Sequence, residues 1–140
     1  MSAGRGVLHS EWNPSKDEGV HFLQIWILPE KQALAPSYEE KHFPEAERRN
    51  AFRLLVSPDA RAGSLKVHQD AEIWGTVLDA GAETTVELRP GRSAWVQVAR
   101  GKLTLNGTEL GEGDGAQVER ETRLVFRGVE AAEALLFDLA

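Results

Sequence analysis

The sequence predicts an all-β protein, a single antiparallel barrel or sandwich, on three observations. Apolar residues recur with a period of two in short runs, as strands buried on one face do. From Phe52 onward the runs follow one another at close to the spacing of about 8–12 residues typical of sandwiches and barrels. Gly, Pro, Asn and Asp interrupt them where tight turns are needed, most plainly at Asn106-Gly107, a pair that accepts positive φ at both central positions of a hairpin turn.

The first run is Val20-His21-Phe22-Leu23-Gln24-Ile25-Trp26-Ile27-Leu28, closed by Pro29. It is apolar enough on both faces to be a strand covered on both sides. Residues 29–50 change character. Pro29, Pro36 and Pro44 separate polar, charged segments, and Glu45-Ala46-Glu47-Arg48-Arg49 makes at most one helical turn. That stretch reads as a surface linker crossing between two modules or two sheets. Strands are then predicted at 52–56, 65–68, 71–78, 84–88, 94–99, 102–105, 116–118, 123–126 and 134–139. Arg100-Gly101 and the glycines at 111, 113 and 115 around Asp114 mark further sharp turns. There is no internal repeat and no low-complexity stretch.

Composition narrows the function. A chain of 140 residues fits one ordinary domain with a real core. Sixteen Lys+Arg against 22 Asp+Glu give a net charge of −6, with the positive residues scattered, which argues against nucleic acid as a direct ligand and against an anionic membrane surface. The absence of Cys excludes a disulfide framework, a thiolate nucleophile and a cysteine zinc site, so a metal would need His and carboxylate ligands. No run approaches the roughly 18 apolar residues of a membrane span, and Met1-Ser2-Ala3-Gly4-Arg5-Gly6 lacks the apolar stretch of an export signal, so the expected compartment is the cytoplasm. No Gly-x-Ser-x-Gly setting and no phosphate-binding glycine loop is present.

His9-Ser10-Glu11 is the candidate for metal chemistry. Residues i and i+2 of a strand project from one face and can offer an imidazole nitrogen and a carboxylate to one ion. A His/carboxylate set with open positions suits non-haem Fe(II) oxygen chemistry. A lone His-x-Glu is nevertheless more often solvated or structural. His21 could orient a ligand from beside the site, although a His satisfied by backbone is the commoner case. His68 would need another His or Glu nearby to bind metal, and His42 lies in the polar linker, where it is expected to be solvated.

Several motifs in order carry a resemblance. Met1-Ser2-Ala3-Gly4-Arg5-Gly6 followed by His9-Ser10-Glu11, and Leu23-Gln24-Ile25-Trp26 leading to Pro29, are similar to segments of the pirin family of double cupins. Ser57-Pro58-Asp59-Ala60 with Gly63-Ser64-Leu65-Lys66-Val67-His68-Gln69-Asp70 resembles the bacterial members described as quercetin dioxygenases, and Leu135-Leu136-Phe137-Asp138 extends the match almost to the end. The resemblance implies a cupin fold, a jelly-roll-like β-barrel. Residues 1–28 would be a remnant of the N-terminal cupin, 29–50 a linker and 51–140 the C-terminal cupin barrel, with most of the N-terminal cupin lying outside this chain.

The same resemblance implies Fe(II) or another divalent transition metal, held in the first barrel by a His-x-His pair and a later His-x-Glu. Only the later pair is matched, which makes His9 and Glu11 the implied metal ligands and Glu11 also the implied general base toward the hydroxyl of a small aromatic, flavonol-like substrate. With half the ligands matched, the expectation is a pirin-like protein with weak or absent quercetin 2,3-dioxygenase activity and a metal that this chain need not hold. The alternative is a non-catalytic binding or regulatory module, since animal pirins look like metal-sensing transcription co-regulators. No His occupies the presumed metal strands of the second barrel, where Trp95, Gln97 and Ala99 stand roughly at ligand positions, so that barrel reads as metal-free. Trp12, Trp26, Trp74 and Trp95 could line a flavonoid-sized pocket, but Trp in a β-barrel is more often core. Residues 20–28, deprived of partner strands, would expose an apolar edge, and a homodimer or higher oligomer is expected to cover it.

Overall fold

The computed structural model describes residues 1–140, and its regular structure is almost entirely β, from Arg53 to Leu139. Ten strands form: β1 (Arg53–Ser57), β2 (Leu65–Lys66), β3 (Ala71–Leu78), β4 (Glu83–Glu87), β5 (Ser93–Arg100), β6 (Lys102–Leu105), β7 (Thr108–Gly111), β8 (Gly115–Val118), β9 (Arg123–Gly128) and β10 (Ala132–Leu139). They make a six-stranded sheet in the order β2-β1-β3-β10-β5-β8 and a four-stranded sheet in the order β4-β9-β6-β7. Every pairing is antiparallel except β1 with β2. The long strands β3 and β5 flank β10, which pairs with β3 along its whole length, from Ala132 opposite Leu78 to Leu139 opposite Ala71.

Alternation decides which residues meet between the sheets. In β10, Ala132, Ala134, Leu136 and Asp138 are buried and the residues between them are half-exposed. From β5 the small apolar Ala94, Val96 and Val98 turn inward, and from the second sheet Leu103, Leu105, Leu124 and Phe126 meet them. Burying each of the large side chains contributes about 1.5–3 kcal/mol, so these few positions hold the two sheets together. Phe52 packs its ring against Phe126 edge-on, at a centroid distance of 4.7 Å. The β6–β7 turn is the one the dipeptide predicts, with Asn106 and Gly107 at φ of 47° and 83° between the paired residues Leu105 and Thr108.

The expected all-β, jelly-roll-like fold class is the one found, in its sandwich form, and two finer expectations need correction. The two sheets face each other without closing into a barrel: β7 and β8 end the two sheets without pairing, and a hollow of about 350 Å³ opens beside Leu110 and Val118. The architecture is a jelly-roll-like sandwich. Residues 20–28 form no strand, because no other segment lies alongside to accept and donate their backbone hydrogen bonds. Strand β7, for which the sequence predicts no strand, is a genuine partner of β6. Within 29–50, the single helical turn forms as a 3₁₀ turn at Glu45–Glu47. No helix is long and apolar enough to cross a membrane.

Candidate functional site

His9 and Glu11 lie in the N-terminal arm, ahead of the first strand. The i, i+2 spacing brings them together, with His9 Nε2 3.8 Å from Glu11 Oε1. Both side chains are about half-exposed, at 43% and 55%. That exposure means water competes for every lone pair the two groups offer, and a two-donor set gains little chelation against it. Nowhere do three or more His, Asp or Glu side chains gather where they could share one ion. The pair is therefore two donors on an open surface, and the residues present do not compose a complete transition-metal site.

The other histidines are placed elsewhere. His21 Nδ1 accepts a hydrogen bond from Arg100 Nε at 3.1 Å, which ties the arm to the end of β5. In the neutral ring this leaves the proton on Nε2. The backbone carbonyl of His68 accepts from the amide of Glu30, fastening the other end of the arm, and the ring is half-buried. His42 is exposed, as the linker position implies.

Of the residues expected at ligand positions in the second unit, Trp95 and Gln97 point away from the space between the sheets, which Val96 and Val98 of the same strand fill. Ala99 is buried and offers no donor. Trp95 lies so closely over β8 that a Cβ on Gly115 would stand 2.2 Å from its ring carbon Cζ2, and only glycine permits that approach. The Gln97 amide donates to the carbonyls of Gly113 and Asp114 at 3.0 and 3.1 Å, locking the turn into β8. The expectation that tryptophans are core holds only for Trp74, which packs against the buried cluster; Trp12 and Trp26 are 80% and 88% exposed.

Two of the tryptophans named as pocket candidates, Trp26 and Trp95, do line a cleft, whose place beneath the arm the sequence does not indicate. The arm crosses the outer face of the six-stranded sheet, and a cleft of about 510 Å³ lies between Leu23, Ile25 and Ile27 on one side and Trp95, Leu135 and Phe137 on the other. Its volume falls in the range of small-molecule sites and its lining is mostly apolar. The signal was present in β10, where Leu135, Phe137 and Leu139 occupy the alternate positions that face away from the core, too apolar for a sheet face left to water.

Comparison with known proteins places these features. Residues 54–139 match the family described as "Quercetinase C-terminal cupin domain", and residues 1–27 match the family described as "Pirin". The protein named quercetin 2,3-dioxygenase of Escherichia coli strain K12 is 40% identical over 139 residues, covering 99% of this chain and 59% of that protein. A pirin-like protein of Caulobacter vibrioides is 37% identical over 141 residues, covering 100% of this chain and 60% of that protein. The chain thus spans about 60% of the length of these relatives. Among solved structures, that of YhhW from Escherichia coli superposes with a TM-score of 0.77 at 36% identity, over 82% of this chain and 48% of that one. A structure of the same bacterial pirin in complex with nickel(II) gives a TM-score of 0.75, over 81% of this chain and 48% of that one.

Proposed function

The chain belongs to the pirin family, and we propose that it is the part of a quercetin 2,3-dioxygenase-like pirin that carries the C-terminal cupin and one ligand-bearing segment of the metal-binding half. In this reading His9 and Glu11 are two ligands of a divalent transition metal, iron or nickel among the candidates. Glu11 in this reading also takes the hydroxyl proton of a flavonol-like substrate, the general-base role open to a carboxylate within reach of that hydroxyl. When bound, the metal supplies the oxygen chemistry, and the chain contributes two of its ligands.

One observation carries the reading: the pair stands 3.8 Å apart in the segment that matches the family, with no third donor beside it. It follows that this chain by itself binds metal weakly and turns over flavonol slowly or not at all. Two half-exposed ligands lack the additional donors and supporting hydrogen bonds that make such sites tight.

The test is metal analysis of protein purified without chelator, beside the His9→Ala and Glu11→Gln variants, with oxygen uptake measured on quercetin. The expected result is substoichiometric metal and no oxygen uptake above that of free metal. Stoichiometric iron or nickel that disappears in His9→Ala, together with quercetin-dependent oxygen uptake, would show that the chain completes its site unaided and would overturn the proposal.

A further inference from the structure

Asn106-Gly107 closes the β6–β7 hairpin, and the asparagine also fastens that hairpin to its neighbour. Strand β6 pairs with β9 as far as Leu105 opposite Phe126, and Asn106 carries the contact one residue further. Its backbone amide donates to the carbonyl of Val125 at 2.9 Å. Its Oδ1 accepts from the amide of Val125 at 2.7 Å, and its Nδ2 donates to the carbonyl of Arg123 at 3.3 Å. Both ends of the side-chain amide are thus committed to β9. All of these residues lie within 54–139, the span that matches the C-terminal cupin family, so the arrangement is internal to that unit.

The same dipeptide is chemically labile. The side-chain carbonyl carbon of an asparagine is open to attack by the backbone nitrogen of the next residue, and glycine, having no Cβ, leaves that nitrogen unhindered. Nothing stands within 4 Å of where a Cβ on Gly107 would be, and Asn106 is exposed to water. A bond forms from Gly107 N to Asn106 Cγ as the Cγ–Nδ2 bond breaks. The Gly107 amide proton leaves with Nδ2 as ammonia, and a cyclic imide remains. Water then opens the ring at either carbonyl, giving an aspartate or an isoaspartate, and nothing is oxidised or reduced. The other asparagines are not comparable. Asn13 precedes Pro14, whose nitrogen has no proton to lose, and Asn50 precedes Ala51, whose Cβ crowds the approach.

We propose that Asn106 is a site of spontaneous deamidation gated by the fold. To reach its own following amide, Cγ must turn away from β9 and give up both side-chain bonds there. The closed hairpin is therefore unreactive, and only molecules in which it has opened are converted. Conversion is one-way. Either product puts a carboxylate oxygen where Nδ2 donated, facing the Arg123 carbonyl with no hydrogen between them. The isoaspartate also lengthens the backbone of a turn closed by the paired residues Leu105 and Thr108. Each event weakens the hold of β6 on β9 beside the buried ring of Phe126, so an aged population opens more readily than a fresh one.

The experiment is peptide mass mapping of the full chain incubated at mildly alkaline pH, in buffer and in urea below the unfolding transition, beside a synthetic peptide of residues 102–111. Conversion is expected at Asn106 and not at Asn13 or Asn50. In buffer it should run at least about tenfold more slowly than in the peptide, and it should accelerate with urea as opening becomes more frequent. Conversion in the folded chain as fast as in the peptide would overturn the gating, and a peptide that stays unconverted would overturn the site. The Asn106→Asp variant reads the consequence directly, as a lower urea midpoint and faster hydrogen exchange at the Val125 amide. An unchanged midpoint and exchange rate would show that the Arg123 contact does not hold the hairpin closed, and would overturn the gating as well.

Discussion

Glu72 and Asp138 stand directly opposite each other on β3 and β10, two carboxylates 5% and 7% exposed at paired positions. Like charges in cross-strand register destabilise a sheet, and three arginines offset them. Arg61 reaches Glu72 at 2.7 Å, Arg89 reaches Glu72 at 3.3 Å, and Arg92 reaches Asp138 at 2.5 Å and Asp70 at 2.9 Å. The hydrogen bond to Glu72 is the main reason the Arg61 guanidinium is held above its ordinary range. For Arg92 burial works against the charge, yet its bonds to Asp138 and Asp70 outweigh burial and raise it as well.

Arg92 is only 10% exposed at its side chain, whereas Arg89 is 62% exposed. Arg92→Met leaves Asp138 buried with Arg89 at 4.0 Å as its remaining cation, and the expected loss is about 3–5 kcal/mol. Arg89→Met, losing a solvent-screened contact, is expected to cost about 0–1 kcal/mol. Urea unfolding of the two variants checks this, as a large drop in midpoint for the first and a small one for the second at constant slope.

Gly115→Ala tests the seat of Trp95. The added methyl would overlap Cζ2 at 2.2 Å and crowd Cε2 at 2.9 Å, so the indole must swing away from β8 and enter the cleft under the arm. An overpacking cost of about 1–3 kcal/mol is expected. In a Trp95→Ala background the same glycine change should cost far less, and a double-mutant cycle by urea unfolding reads that coupling.

Much of this was legible in the residues, and the limits have physical reasons. The β6–β7 turn needed only Asn106-Gly107, because a local backbone preference decides it. The closeness of His9 and Glu11 likewise follows from i, i+2 spacing along extended chain. Whether a third donor joins them depends on chain distant in sequence, and no local pattern reports that. The Arg61, Arg89 and Arg92 contacts were hidden for the same reason: in sequence they read as scattered surface charge, and only the pairing of β3 with β10 gives them buried partners. Val20 to Leu28 misled because apolar alternation predicts a strand's side-chain pattern while saying nothing about whether a hydrogen-bonding neighbour is there.

The edge-on pair of Phe52 and Phe126 lies where the segment entering β1 meets the second sheet. Phe126 is fully buried and Phe52 is half-buried. Phe126→Ala is expected to cost about 3–5 kcal/mol. Phe52→Leu keeps most of the apolar contact and is expected to lose mainly the ring geometry, about 0.5–1.5 kcal/mol. Thermal unfolding of the single variants ranks them, and an equal loss from both would show that the ring pair is not the contact that matters there.

The acid limb of stability should contain a contribution from Asp59. Ser57 Oγ donates to its Oδ1 at 2.9 Å, and this bond is the main reason its carboxyl is held below the ordinary value of 3.8. Burial opposes the shift, while the Arg61 amide and guanidinium, both at 3.3 Å, add to it. Ser57 is fully buried and contacts Ser64 Oγ at 2.8 Å; because its one proton goes to Asp59, Ser64 is the donor in that contact. A carboxyl whose folded value lies below its unfolded one binds its proton more readily in the unfolded chain. Its stabilising effect is full above the unfolded value and is lost as pH falls through the folded one. Asp59→Asn should therefore lower stability at neutral pH and flatten the decline between about pH 5 and pH 2. Urea unfolding across that range measures it, and parallel curves for the two proteins would mean that the Ser57 bond does not distinguish the charged carboxylate from the neutral acid.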